Sequence, residues 1–175
     1  KGPDQPSGQV TEHDPDIGAD VAPFVMAAIN TRNVHRSNLL QGHPWGTDFV
    51  YDEMTIVKDQ PQGQAGAEDL NNLGAGMAGG GPQPGEGPTK EQREAGFYDV
   101  LFIGVGEGDE RVRVSVSGTE DPGYASTSKM IAECAVCLTR EAAATPGGIW
   151  TPGAAMGEHL IRRLQDNAGI QFKVE

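Results

Sequence analysis

The chain has 175 residues, 37% of them apolar and 6% aromatic, with a formal net charge of −12 at pH 7. That length allows one domain with an ordinary core. The acidic balance argues against nucleic acid, which demands clustered Lys and Arg, and no apolar run approaches the roughly 20 residues that span a bilayer.

Residues 1–20 lack apolar periodicity and read as a flexible N-terminal segment, leaving 21–175 as the domain proper. Their polar, Gly- and Pro-rich start carries no signal-peptide pattern. Two cysteines three apart make no secreted disulfide framework, so a soluble cytoplasmic protein is expected.

Pro23 to Leu40 predicts a helix, with Met26, Ile29, Val34, Leu39 and Leu40 as its apolar positions. Arg32, His35 and Arg36 stand at i, i+3 and i+4, on one face. Gly42-His-Pro-Trp-Gly46 ends that helix, and Asp48 to Val57, rich in β-branched and aromatic residues, reads as a strand. A long Gly, Pro and Gln stretch over about 59–88 follows, and such a stretch inside a compact domain is either mobile or functional. Thr89 to Glu94 predicts a short helical turn.

Phe97 to Gly118 reads as an antiparallel hairpin. One strand runs through Tyr98, Val100, Phe102 and Gly104. Gly106-Glu-Gly-Asp109 turns the chain, and Val112, Val114 and Val116 then alternate with Arg and Ser. Asp121-Pro122 and Thr151-Pro152 each place a capping residue before a proline at the first helical position. They predict helices over 122–141 and 152–167. The first has Thr127, Ile131, Cys134 and Leu138 on its apolar stripe, the second Met156, Leu160, Ile161 and Leu164. Gly169 is the expected C′ glycine, and Ile170, Phe172 and Val174 close with a strand. The whole predicts an α+β fold, a mostly antiparallel mixed sheet with helices on one face.

Gly104-Val-Gly-Glu-Gly108 looks like a dinucleotide fingerprint, but that motif needs a helix after it to receive the pyrophosphate, and here a second strand follows. Gly79-Gly-Gly81 fails too, because no strand leads into it and no Gly-Lys-Ser/Thr follows. Cys134-Ala-Val-Cys137 lies mid-helix beside the apolar stripe rather than at a helix N-terminus, so it reads as two small buried residues and not as a redox pair. The four histidines show no metal-ligand spacing. Asn30-Thr-Arg32-Asn33-Val-His35-Arg36-Ser37-Asn38 is dense in hydrogen-bonding side chains. Its two arginines are either a clamp for a carboxylate or phosphate or the solvated face of a helix.

Pro23–Asn38, then Trp45-Gly-Thr-Asp-Phe-Val-Tyr-Asp-Glu53, Pro82–Pro88, Glu91–Gly96, the Asp121–Tyr124 helix start and Gly147–Gly157 occur here in one order. In that order they resemble the C-terminal, substrate-binding and dimerisation domain of saccharopine dehydrogenase-like oxidoreductases, in the branch of the trans-acting enoyl reductases. The resemblance implies a parent whose N-terminal Rossmann domain binds NAD(P)H, with no cofactor site in this chain. It also implies a homodimer and, residue by residue, substrate contacts from Asn30, Arg32, Arg36, Asn38, Tyr124 and Thr127. The alternative is a non-catalytic dimerisation or protein-interaction module. The catalytic residues are not identified from the sequence.

Overall fold

The computed structural model describes residues 2–57 and 85–175. Most of the Gly/Pro-rich stretch, including Ala75–Gly81, lies outside them. The fold is α+β, with two separate three-stranded antiparallel sheets in place of the single sheet expected. The chain divides into two compact units, Lys1–Gly85 and Glu86–Glu175. Among the described residues no helix is long and apolar enough to cross a membrane.

The first unit holds β1 (Glu12–Asp14), β2 (Ala19–Pro23), α1 (Ala27–Leu40) and β3 (Met54–Val57). Residues 1–20, expected as a flexible N-terminal segment, contain a strand and the first residues of another. An Asp-Pro-Asp-Ile-Gly turn makes this hairpin. The Asp14 carboxylate accepts from the Asp16 and Ile17 N–H groups (2.8 and 3.3 Å), and Gly18 takes the left-handed conformation at φ 68°. Pro23 ends β2 opposite Met54, so α1 starts four residues later than expected, and β3 covers only the last part of the 48–57 strand.

The second unit opens with α2 (Lys90–Ala95), where Thr89 and Gln92 form a reciprocal capping box. The hairpin β4 (Tyr98–Val105) and β5 (Arg111–Gly118) follows as expected, with a short 3₁₀ turn at Glu107–Asp109, and β6 (Ile170–Val174) adds to β5. Gly104 is therefore an internal strand residue, and the glycine motif is a hairpin. Between β5 and β6 run α3 (Ala125–Arg140) and α4 (Pro152–Asn167).

The Asp121 carboxylate accepts from the Gly123, Tyr124 and Ala125 N–H groups. However, α3 starts only at Ala125 with Tyr124 at its N-cap, so Pro122 lies in the preceding turn and not at the first helical position expected. Pro152 stands at the start of α4, and Gly169 at φ 68° follows its C-cap, both as expected. Met156, Leu160 and Leu164, four apart, pack with Cys137, Ala142, Ala168 and Ile170 into the core. The α3 stripe differs from the sequence reading. Its inward face is Ser126, Met130, Cys134 and Cys137, while Ile131 and Leu138 are exposed. The Tyr98 hydroxyl lies 2.8 Å from the Ser126 hydroxyl and holds that helix rotation.

Candidate functional site

The densest polar cluster of the first unit gathers at the C-terminal half of α1 and the segment that follows it. Gly42 and His43 both take left-handed backbone (φ 80° and 63°), turning the chain sharply as the helix ends. The His43 N–H donates to the Asn38 carbonyl at 2.8 Å, closing the turn. The Asn38 side chain, 3% exposed, then holds the returning chain from both ends of its amide. Its Nδ2 donates to the Gly46 carbonyl at 2.8 Å, and its Oδ1 accepts the Trp45 N–H at 3.1 Å.

Phe49 anchors an aromatic run, its ring 5.4 Å from His35, 5.3 Å from Trp45 and 6.1 Å from Tyr51. Gln5 crosses this run. Its Nε2 donates to the Phe49 carbonyl at 3.2 Å, and its Oε1 accepts the Tyr51 N–H at 3.1 Å. The same Oε1 lies 3.1 Å from His35 Nε2, so His35 presents an Nε2–H there. Gln5, His35, Asn38, His43, Thr47 and Phe49 line an open groove of about 320 Å³. His43 Nδ1 is buried with no hydrogen-bond partner among the described residues.

Beside the aromatic run, the Glu53 carboxylate accepts from Asn30 Nδ2 at 3.0 Å and from the Tyr51 hydroxyl at 2.8 Å. Burial first, and then the hydrogen bond to Glu53, hold the Tyr51 phenol well above its ordinary pKa of 10.0. At neutral pH Tyr51 is a protonated donor and not a base.

Of the residues anticipated from sequence, Asn30 and Asn38 thus meet specific partners, and both are engaged within the unit. Arg32 and Arg36 stand on the exposed side of α1. Tyr124 and Thr127 belong to the second unit, on the first turn of α3. Tyr124 is half-exposed, its ring beside Gly87, and the Thr127 hydroxyl donates to the Pro122 carbonyl. Sequence reasoning missed Gln5, His43, Phe49, Tyr51 and Glu53. Gly42–Gly46 carried the one readable signal, a helix stop, but nothing in it announced the left-handed His43.

Among the described residues no group of three or more His, Cys, Asp or Glu is placed to hold a metal. Burial is the largest cause raising both thiol pKa values, and both side chains pack in or against the core of the second unit.

No family model and no solved structure matches the chain. Curated proteins do. A Mycobacterium tuberculosis (strain H37Rv) protein, provisionally named a trans-acting enoyl reductase, is 32% identical over 190 aligned positions, which take in 98% of this chain. Further relatives are named trans-acting enoyl reductases. Those of Mycobacterium bovis (strain BCG / Pasteur 1173P2) and Mycobacterium ulcerans (strain Agy99) are 31% and 30% identical over 87% and 84% of the chain. The chain spans less than half the length of these relatives: 45%, 43% and 41%.

Proposed function

We propose that this chain is the substrate-side domain of an NAD(P)H-dependent oxidoreductase of saccharopine dehydrogenase-like build. Its parent would reduce an enoyl carbon–carbon double bond. The observation that carries the reading is the similarity to trans-acting enoyl reductases across 98% of the chain. More than half of each relative lies outside the matched part, which leaves length in the parent for a Rossmann domain. What supports leaving the cofactor to the parent is that Gly104–Gly108 forms a β-hairpin turn and not the strand-to-helix turn that receives a pyrophosphate. Hydride chemistry is therefore assigned to the parent's other half.

What this chain contributes is positioning. Arg32 and Arg36 offer guanidinium groups to an anionic part of the substrate. The groove beside His35 and Phe49 offers an aromatic wall, and Tyr51, kept protonated by burial and by its hydrogen bond to Glu53, stacks beside Phe49. Tyr124 and Thr127 are assigned to the substrate side from the second unit, and the parent is a cytoplasmic homodimer. The edge of β4, unpaired on one side among the described residues, favours a second role, self-association.

The test is NADPH consumption by the full parent chain with α,β-unsaturated acyl thioesters. The reading expects turnover with at least one such thioester, and a drop in kcat/KM when Arg32 and Arg36 are both changed to Gln. A parent that consumes no NADPH with any enoyl thioester overturns it.

A further inference from the structure

Among the described residues β4 lies at the edge of the second sheet, paired to β5 alone. The Gly106 N–H bonds to the Glu110 carbonyl at the hairpin mouth, and the unbroken register pairs Tyr98 with Gly118 through Val105 with Arg111. Hydrogen-bonded pairs alternate along an antiparallel ladder. The even-numbered residues of β4 therefore bond to β5, while Asp99, Leu101, Ile103 and Val105 turn their N–H and C=O groups to the open edge. The other edge strand gives an independent check: the Glu175 N–H donates to the Arg113 carbonyl, so odd residues of β5 face β6 and even ones face β4.

This edge lacks the devices that keep sheet edges apart. It runs eight residues, Tyr-Asp-Val-Leu-Phe-Ile-Gly-Val, with one charge, no proline and no bulge. The opposite edge, β6, is five residues long and carries Lys173. Helices cover only part of the sheet's apolar face. Ile170, Val116 and Phe172 join the core, while Val100, Phe102, Val112 and Val174 on that same face are 44%, 42%, 57% and 72% exposed.

We propose that this edge is the seam of a homodimer, in which β4 pairs antiparallel with β4 of a second copy about a two-fold axis at Phe102. The partner is a second copy because the strand is complementary to itself in that register. Asp99 and Val105 stand opposite one another, as do Leu101 and Ile103, so every outward backbone group is used and about eight new ladder bonds form. Phe102 faces Phe102 in a non-hydrogen-bonded pair, where side chains approach most closely. Val100 meets Gly104, which has open space: a Cβ there would find nothing nearer than 3.8 Å. No carboxylate opposes another, so a chain of net charge −12 brings its charges together elsewhere. The two three-stranded sheets become one of six. The inference deepens the homodimer assigned above and is independent of the reductase chemistry.

The test combines solution mass with cysteine crosslinking of the 175-residue chain. Sedimentation over a range of concentrations should show a monomer–dimer equilibrium, and Phe102→Lys, which places two ammonium groups at the axis, should weaken it by about tenfold or more. Phe102→Cys should crosslink to itself under mild oxidation, since Cα atoms across such a pair sit about 4.5–5.5 Å apart. Val100→Cys should not, because its two copies would be about 14 Å apart along the strands. A monomer at every concentration overturns both the seam and the dimer. A dimer that survives Phe102→Lys and leaves Phe102→Cys uncrosslinked overturns the seam alone, and places self-association on another surface.

Discussion

Arg163 of α4 reaches Glu133 of α3 at 2.6 Å through Nη2, while its Nη1 lies 2.8 Å from Glu141. One guanidinium thus joins the middle and the end of α3 to α4. The Arg163 and Glu133 side chains are only 18% and 17% exposed, so salt screens this bridge far less than a surface pair such as Lys90–Glu94. Its two carboxylate partners raise the Arg163 pKa further. Arg163→Met should lower the midpoint of thermal unfolding measurably, and Arg163→Lys should recover little of the loss because an ammonium cannot span two carboxylates. Lys90→Met should leave the midpoint almost unchanged. Circular dichroism melts of the three variants check this.

Asn38→Ala leaves the Trp45 N–H and the Gly46 carbonyl without their partner. Both groups are only partly buried, so the loss should fall toward the low end of the roughly 1–3 kcal/mol that stranding a buried polar group costs. Asn38→Asp should not rescue it, since a carboxylate cannot donate to the Gly46 carbonyl. Urea denaturation followed by tryptophan fluorescence reports the change directly, because Trp45 is on the segment released. If Asn38→Ala unfolds like the parent sequence, Asn38 is not the residue that holds this turn.

Tyr51 gives a pH signature. Its folded-state pKa is raised above 10.0, so the folded chain keeps the proton that the unfolded chain releases. The associated stability is complete below pH 10 and falls as pH rises beyond it. An ultraviolet titration of the three tyrosines should show one that resists ionisation. Tyr51→Phe should remove that component and flatten the alkaline decline in stability.

Gly118 tests the packing of the second unit. It pairs with Tyr98 across the hairpin, and the Tyr98 ring lies directly over it, where a Cβ would collide. Gly118→Ala should cost about 1–3 kcal/mol through overpacking, and should loosen the Tyr98–Ser126 hydrogen bond as well. Gly153→Ala, where a Cβ meets open space, is the matched control and should be neutral or stabilising.

The second unit was the more legible in sequence because local signals there agree with tertiary packing. The Val112–Val116 alternation, Pro152 at the start of α4 and Gly169 each fix an element within a few residues. The α3 stripe was misread by one position: Ser126, Met130 and Cys137 face inward where periodicity favours Thr127, Ile131 and Leu138, and the Tyr98–Ser126 hydroxyl pair goes with that rotation. The first unit was harder. Its β1–β2 hairpin rests on Asp14 capping a turn rather than on apolar alternation, and Gln5 joins Phe49 and Tyr51 across more than forty residues. Such long-range polar contacts leave no period to read. The polar run on α1 was visible, but whether each amide faces a substrate or the chain itself depends on the returning segment at Trp45–Glu53.

If this chain is the substrate side of a reductase, as proposed, the nicotinamide site lies in the parent's remaining length. Titrating NADPH into the full parent and into this chain, side by side and followed by nucleotide fluorescence, tests this. The proposed function requires saturable binding by the parent and none in the micromolar range by the 175-residue chain. Saturable micromolar binding by this chain, or none by the parent, would contradict it.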